Sequence, residues 1–267
     1  SSSFFSRLLT VRVTGSTNDD LRAALSGPDG RVNPAAVDTW PHLSALCAQT
    51  QTAGRGRAEH TWVTPPHGAL TVSVVLRPVV PAARLDWLPL LAGLAVQRTL
   101  EPRLEGTGWR ARTKWPNDVV VLPTDAPADA SAVDAPGWGL SRKVAGILCE
   151  LIPASERIEN SGAAGPAGRR GGLERARAEA SAVIVGIGVN LALGSSLAGL
   201  GVDSELTVAR GVLEDLGRHL AELVASWEDR DGDPDGGDGE LGRCLRGACS
   251  TLGQDVVVTT PTGLVRG

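Results

Sequence analysis

Five short β-type runs, set wide apart, constrain this chain most. Leu43–Gln49, Ala69–Leu76, Lys114–Leu122, Lys143–Leu151 and Ala182–Leu191 are of strand length, and most are apolar with β-branched residues, which predicts five strands. Two longer stretches read as helices. Pro81–Leu104 places Leu85, Leu88, Leu91, Leu94 and Ala95 on roughly one face, with Pro89 expected to kink or divide it, and Glu205–Trp227 is the second. A shorter helix is predicted just after Thr14-Gly15-Ser16-Thr17-Asn18, with its N-cap among those polar residues. Strands must pair and helices must cover a face, but periodicity does not by itself name the fold. Residues 27–42 read as loop, and 123–141, 153–180 and 229–240 are so rich in Ala, Gly, Pro, Asp and Arg that they are predicted to be disordered insertions.

The 267 residues suffice for one large domain with a small appendage, and 42% apolar content supports a sizeable core. A net charge of −4 gives no general attraction to nucleic acid, so any anion site must be local. No apolar run reaches membrane-spanning length and no signal-peptide pattern opens the chain. Cys47, Cys149, Cys244 and Cys249 show neither a C-x-x-C pair nor a zinc spacing, which fits reduced thiols and a cytoplasmic setting, with Cys149 expected in the core. His42, His60, His67 and His219 form no metal or triad set by spacing.

Only two of the 26 basic side chains are lysine. Lys114 opens Lys114-Trp115-Pro116-Asn117-Asp118 and Lys143 opens Lys143-Val144-Ala145-Gly146-Ile147-Leu148. A compact ammonium is not interchangeable with a guanidinium fork, so two lysines in two such segments point to chemistry. Asp118 could hold a divalent ion or cap the turn. Gln51-Thr52-Ala53-Gly54-Arg55-Gly56-Arg57 alternates glycine with arginine after a strand, a pattern that lets backbone approach an anion while forked donors bind it. Trp62 could wall an apolar pocket or fill a core. Gly186 and Gly188 lie inside a strand, where glycine marks either a bulge or the close approach of a ligand.

In this order, Ser16-Thr17-Asn18, Gln51 with Gly54-Arg55-Gly56-Arg57, Trp62, Lys114–Asp118, Lys143–Leu148 and Gly186-Ile187-Gly188-Val189-Asn190 resemble the biotin–protein ligase family over residues 8 to 228. The resemblance implies an α+β fold, a mixed β-sheet with flanking helices like that of class II aminoacyl-tRNA synthetases. It implies a catalytic domain over 1–241 and the start of a small SH3-like β-domain over 242–267. It further implies a biotin–[biotin carboxyl carrier protein] ligase: ATP and Mg²⁺ convert biotin to biotinyl-5′-AMP, and a carrier-domain lysine takes the biotinyl group. By matched position, Ser16, Thr17, Asn18, Gln51, Gly54, Arg55, Gly56, Arg57, Trp62, Lys114, Gly146, Gly186 and Gly188 would bind biotin. Arg55, Arg57, Trp62, Lys114, Asn117, Lys143 and Asn190 would hold ATP or the adenylate. Lys114 and Arg57 would be catalytic, and no residue is assigned to a metal.

The chain departs from the family loop after Arg57, where Glu59 and His60 stand in place of a third glycine and arginine. That substitution predicts weaker retention of the adenylate. Many members of the resembled family carry an N-terminal helix-turn-helix; this sequence shows none, so no nucleic-acid partner is expected, and without a spanning apolar run no membrane partner is expected either. Two alternatives remain at this level: a non-catalytic biotin-binding regulatory module, and a relative that transfers lipoyl or octanoyl groups.

Overall fold

The computed structural model describes residues 4–57, 61–62, 68–125, 142–155, 169–191, 202–260 and 263–267. In chain order the elements are β1 (Arg7–Thr14), α1 (Thr17–Leu25), α2 (Ala36–Thr39), β2 (Ser44–Gln51), β3 (Ala69–Leu76), α3 (Leu88–Leu100), β4 (Trp109–Lys114), β5 (Asp118–Pro123), β6 (Lys143–Ile152), α4 (Arg169–Glu179), β7 (Ala182–Asn190), α5 (Val202–Glu228), α6 (Glu240–Ala248), β8 (Val257–Thr260) and β9 (Gly263–Arg266). Among the described residues seven strands form one sheet in the order β1-β2-β3-β7-β6-β5-β4, parallel between β1 and β2 and antiparallel elsewhere, and β8 and β9 form a separate hairpin.

Alternation along the central strands divides the sheet into two faces. Leu70, Val72, Val74 and Leu76 of β3, with Val183, Val185, Ile187 and Val189 of β7, point into the larger core. There they meet Leu91 and Ala95 of α3, Leu216, Leu220 and Trp227 of α5, and Leu241 and Leu245 of α6. The opposite face carries a smaller core in which Leu21 and Leu25 of α1 cover Val75, Ile152 and Ile184. Further along those same strands this second face changes character. Apolar side chains give way to Ser73 and Thr71 on β3, Gly186 and Gly188 on β7, and Gly146 on β6, and a cleft opens.

Several elements differ from the sequence expectation for local reasons. The run 114–122 is two strands, because the chain turns over Trp115–Asn117, with a cis Trp115–Pro116 bond, and brings Lys114 opposite Asp118. The Pro81–Leu104 helix divides as expected: a 3₁₀ segment covers Ala82–Trp87, and α3 begins with Pro89 in its first turn, where a missing N–H costs nothing. A second 3₁₀ segment, Glu101–Leu104, ends it. Within 27–42 a one-turn helix, α2, sits where only loop was expected.

Most of 123–141 and 153–168 lies outside the described residues. Arg169–Glu179 is helical rather than irregular, and Arg177 of α4 pairs with Glu228 of α5 at 2.6 Å. Residues 229–240 form successive turns tied by Trp227 Nε1 donating to the Gly232 carbonyl at 2.6 Å and by an Arg230–Asp238 ion pair at 3.3 Å. Residues 242–267 begin within a helix rather than a strand. α6 buries Leu241, Leu245 and Ala248 in the larger core, and β-type backbone resumes only at Val257. Cys47 is buried, and burial pushes its thiol up to about 11; all four cysteines are free. Cys149 is half-buried and packs against the larger core rather than inside it. No helix among the described residues is long and apolar enough to cross a membrane.

Candidate active site

The cleft has a volume of about 540 Å³ and sits where the N-terminus of α1, the Gly/Arg loop, and the ends of β3, β7, β6 and β5 converge. Strand register arranges its floor in two rows. One runs Ser73–Gly186–Leu148 across β3, β7 and β6. The next runs Thr71–Gly188–Gly146–Asp118–Lys114 across five strands. At the usual interstrand spacing the second row carries Lys114 about 14 Å from Gly188.

Over the first row lies a network of neutral hydrogen-bonding groups. Ser16 caps α1, its hydroxyl accepting from the Asp19 amide at 3.3 Å, and this places Thr17 and Asn18 at the helix start beside the sheet. The Thr17 amide donates to Gln51 Oε1 at 2.8 Å, the Thr17 and Ser73 hydroxyls meet at 2.6 Å, and the Ser73 hydroxyl donates to Asn18 Oδ1 at 2.6 Å. Asn18 Nδ2 donates to Glu150 at 2.7 Å and to the Leu148 carbonyl at 3.3 Å. Ser16, Thr17, Asn18 and Ser73 are all buried. Asn18 therefore spends both amide hydrogens and its carbonyl within the protein.

The two strand glycines have distinct causes. A Cβ on Gly186 would stand 2.3 Å from Asn18 Oδ1, so this glycine makes room for the asparagine. A Cβ on Gly188 would stand 2.3 Å from Trp62 Cε2, and one on Gly146 3.1 Å from Trp62 Cζ3, so the Trp62 indole lies in the trough between them. Trp62 reaches that place because the Gly/Arg loop doubles back on itself. The Trp62 amide donates to the Gly54 carbonyl at 2.9 Å, and Arg55 bridges to Thr61. A Cβ on Gly54 would meet the Trp62 carbonyl at 2.5 Å, which is why glycine stands there. Trp62 Nε1 and the Thr71 hydroxyl are buried in the cleft and have no hydrogen-bond partner among the described residues.

Both lysines lie at the other end. Lys143 Nζ lies 2.8 Å from Asp118 Oδ1 and 5.8 Å from the centre of the Trp62 ring. Lys114 lines the same cleft from the end of β4 and is exposed, with no ion-pair partner among the described residues. Asn117 holds the β4–β5 turn to β6, donating from Nδ2 to the Ile147 carbonyl at 2.9 Å while its own carbonyl accepts from the Ile147 amide. The Trp115 amide donates to Thr251 Oγ1 at 3.0 Å, and Val256–Val258 close this side of the cleft.

Fourteen of the sixteen residues singled out from sequence line this one cleft; Gly54 lies behind Trp62, and Asn190 ends β7 opposite Ala69. Glu59 and His60 fall outside the described residues. Sequence reasoning missed Thr71, Ser73 and Glu150. The first two alternate with apolar residues on β3, a pattern that could have shown them on the cleft face. Glu150 gave no signal of its own.

The fold is that of the biotin protein ligases. The Aquifex aeolicus enzyme in complex with biotin and ATP superposes with a TM-score of 0.53 at 20% identity, covering 98% of this chain and 96% of that one. The Leishmania major enzyme in complex with biotinyl-5-AMP does so at 0.50 and 18% identity, covering 98% and 96%. The expected α+β architecture, a mixed sheet with flanking helices, is the one found. Residues 32–161 match the model of the Biotin/lipoate A/B protein ligase family. Among curated relatives, a biotin–[acetyl-CoA-carboxylase] ligase of Mycobacterium tuberculosis is 40% identical over 116 residues, 43% of this chain and 40% of its own length. A bifunctional ligase/repressor BirA of Bacillus subtilis is 26% identical over 167 residues, 62% and 38% respectively. The chain thus spans about two fifths of the length of these relatives.

Proposed function

We propose that this protein is an ATP-dependent ligase that activates biotin as biotinyl-5′-AMP and transfers the biotinyl group to a lysine of a biotin carboxyl carrier domain. The observation that carries this reading is the polarity of the cleft: a hydrogen-bonding end at Ser16, Thr17 and Gln51, flanked by Arg55, an indole-lined middle, and a lysine–carboxylate end. Biotin has the same order, with a neutral ureido head, an apolar ring and chain, and a terminal carboxylate.

In the first step a carboxylate oxygen of biotin attacks the α-phosphorus of ATP and pyrophosphate leaves. Two anions must approach, so the site must offset their repulsion and the charge growing on phosphorus. Lys143, held by Asp118 beside Trp62, is fixed for this, and Lys114 and Arg57 add positive charge in the same cleft. Asp118 is the one carboxylate among the described cleft-lining residues. One carboxylate together with substrate phosphates is a usual setting for Mg²⁺, which would offset phosphate charge there. In the second step the acceptor amine attacks the mixed anhydride, an amide forms, AMP leaves and the nitrogen loses a proton. A reactive anhydride must be kept from water, a task suited to the Gly/Arg loop. The β8–β9 hairpin, beside the cleft at Val256–Val258, is read as the opening of a small SH3-like domain.

The test is selective stabilisation. Biotin raises the unfolding temperature and lipoate does not, because only a ligand that binds the folded state shifts it. A shift with lipoate alone refutes the biotin reading.

A further inference from the structure

Glu150 lies on the cleft face of β6 but behind the residues that line the cavity. Its carboxylate accepts from Asn18 Nδ2 at 2.7 Å, from Arg22 at 3.0 Å, and from Arg55 at 2.9 Å to each oxygen. It thus collects groups from α1 and from the Gly/Arg loop onto one strand. Burial alone would raise this carboxyl; hydrogen bonds from Asn18 and Arg55 and the charges of Arg55 and Arg22 outweigh it and hold the group below the usual carboxylate range.

The manner in which Arg55 is held is informative. Every contact to Glu150, and the ion pair to Asp19, uses one nitrogen, NH2. Nε and NH1 make no hydrogen bond among the described residues, while the residue lines the cleft. A guanidinium pinned at one corner keeps its remaining donors for a ligand, which a lysine in the same place could not do. Arg55 also bridges to Thr61, the neighbour of the Trp62 whose indole lies in the Gly146–Gly188 trough.

We infer that Glu150 is a positioning residue for ligand binding: it holds the Arg55 guanidinium by a single nitrogen, so that the remaining donors meet the ligand. This rests on the biotin reading above. Asn18, with its amide saturated by Glu150, Leu148 and Ser73, belongs to the same support and acts through its neighbours.

The experiment is a double-mutant cycle in biotin affinity, measured by titration calorimetry with urea midpoints alongside. Glu150→Gln weakens binding about tenfold in the wild-type background and less than about twofold in an Arg55→Ala background, because residues that act as a unit are not additive. A merely structural role for Glu150 would lower affinity by the same factor in both backgrounds, and that result overturns the assignment, as does wild-type affinity in Glu150→Gln. Should Glu150→Gln fail to fold, Arg55→Lys on the exposed loop decides instead. It keeps a charge for Glu150 but has no second edge, so its urea midpoint stays at the wild-type value while biotin affinity falls about tenfold. Undiminished affinity there overturns the assignment. If wild-type protein does not bind biotin, the biotin reading fails and this assignment with it; binding by wild type with an additive cycle sinks this assignment alone.

Discussion

Adding one methyl group at Gly186 and one at Gly188 should separate the cost of folding from the cost of binding. Both new Cβ atoms would stand 2.3 Å from a neighbouring atom, so the two clashes are alike in size. What they strike differs. At Gly186 the neighbour is Asn18, whose amide is fixed by Ser73, Leu148 and Glu150 and is buried between the start of α1 and the sheet. Moving it unpairs buried donors and acceptors at about 1–3 kcal/mol for a group so stranded, with overpacking of similar size. Gly186→Ala is therefore expected to lose about 3 kcal/mol of stability. At Gly188 the neighbour is the Trp62 indole, carried on a loop and with no hydrogen bond at Nε1 among the described residues. It can swing away at small cost, and alanine suits a strand better than glycine by about 0.5–1 kcal/mol. Gly188→Ala should then stay within about 1 kcal/mol of wild type yet bind biotin at least about tenfold more weakly, because the middle of the cleft has lost its wall. Urea denaturation and calorimetric titration of both variants provide the comparison. Equal destabilisation by the two alanines, or full biotin affinity in Gly188→Ala, refutes the reasoning.

His42 gives a pH dependence of defined sign. Burial, then the charges of Arg177 and Arg77, lower its imidazole to about 3, and Nδ1 accepts from the Arg77 amide at 3.0 Å. Between pH 6.5 and that value the unfolded chain binds the extra proton, so stability falls with falling pH by at most about 1.4 kcal/mol per unit from this group. His42→Asn should flatten the decline of urea midpoint between pH 6.5 and 4.5, and an unchanged slope contradicts this. Restoring the family loop with Glu59→Gly/His60→Arg should slow release of biotinyl-5′-AMP in a filter-trap assay, since it removes a carboxylate and adds a fixed cation; an equal release rate removes the loop departure as a cause.

Much of this arrangement was legible because its chemistry lies in contiguous motifs. Ala69–Leu76, Lys143–Leu151 and Ala182–Leu191 match β3, β6 and β7 within a residue, since their composition leaves little alternative. β1 was not anticipated: it is an edge strand whose side chains are mostly exposed, so no apolar run marks it. α6 escaped because its apolar residues, Leu241 and Leu245, are few and sit among glycine and arginine; what makes it a helix is packing against α3 and α5. Of the two lysines, sequence gave Lys114 the catalytic part, yet Lys143 is the one that Asp118 and Trp62 hold in place. Register across β4, β5 and β6 decides that, and register is invisible without the sheet. Glu150 illustrates the same limit, because its partners come from 95 to 132 positions away.

The central claim is adenylate formation, and biotin-dependent exchange of labelled pyrophosphate into ATP tests it most directly. The wild-type protein should catalyse exchange only when biotin is present, and Lys143→Ala should reduce the rate by at least about a hundredfold, the size of effect seen when a group stabilising transition-state charge is removed. Lys114→Ala should reduce it less, as an exposed lysine in the same cleft with no ion-pair partner among the described residues. Tight biotin binding without any exchange would contradict the account and leave a biotin-binding protein that does not activate its ligand.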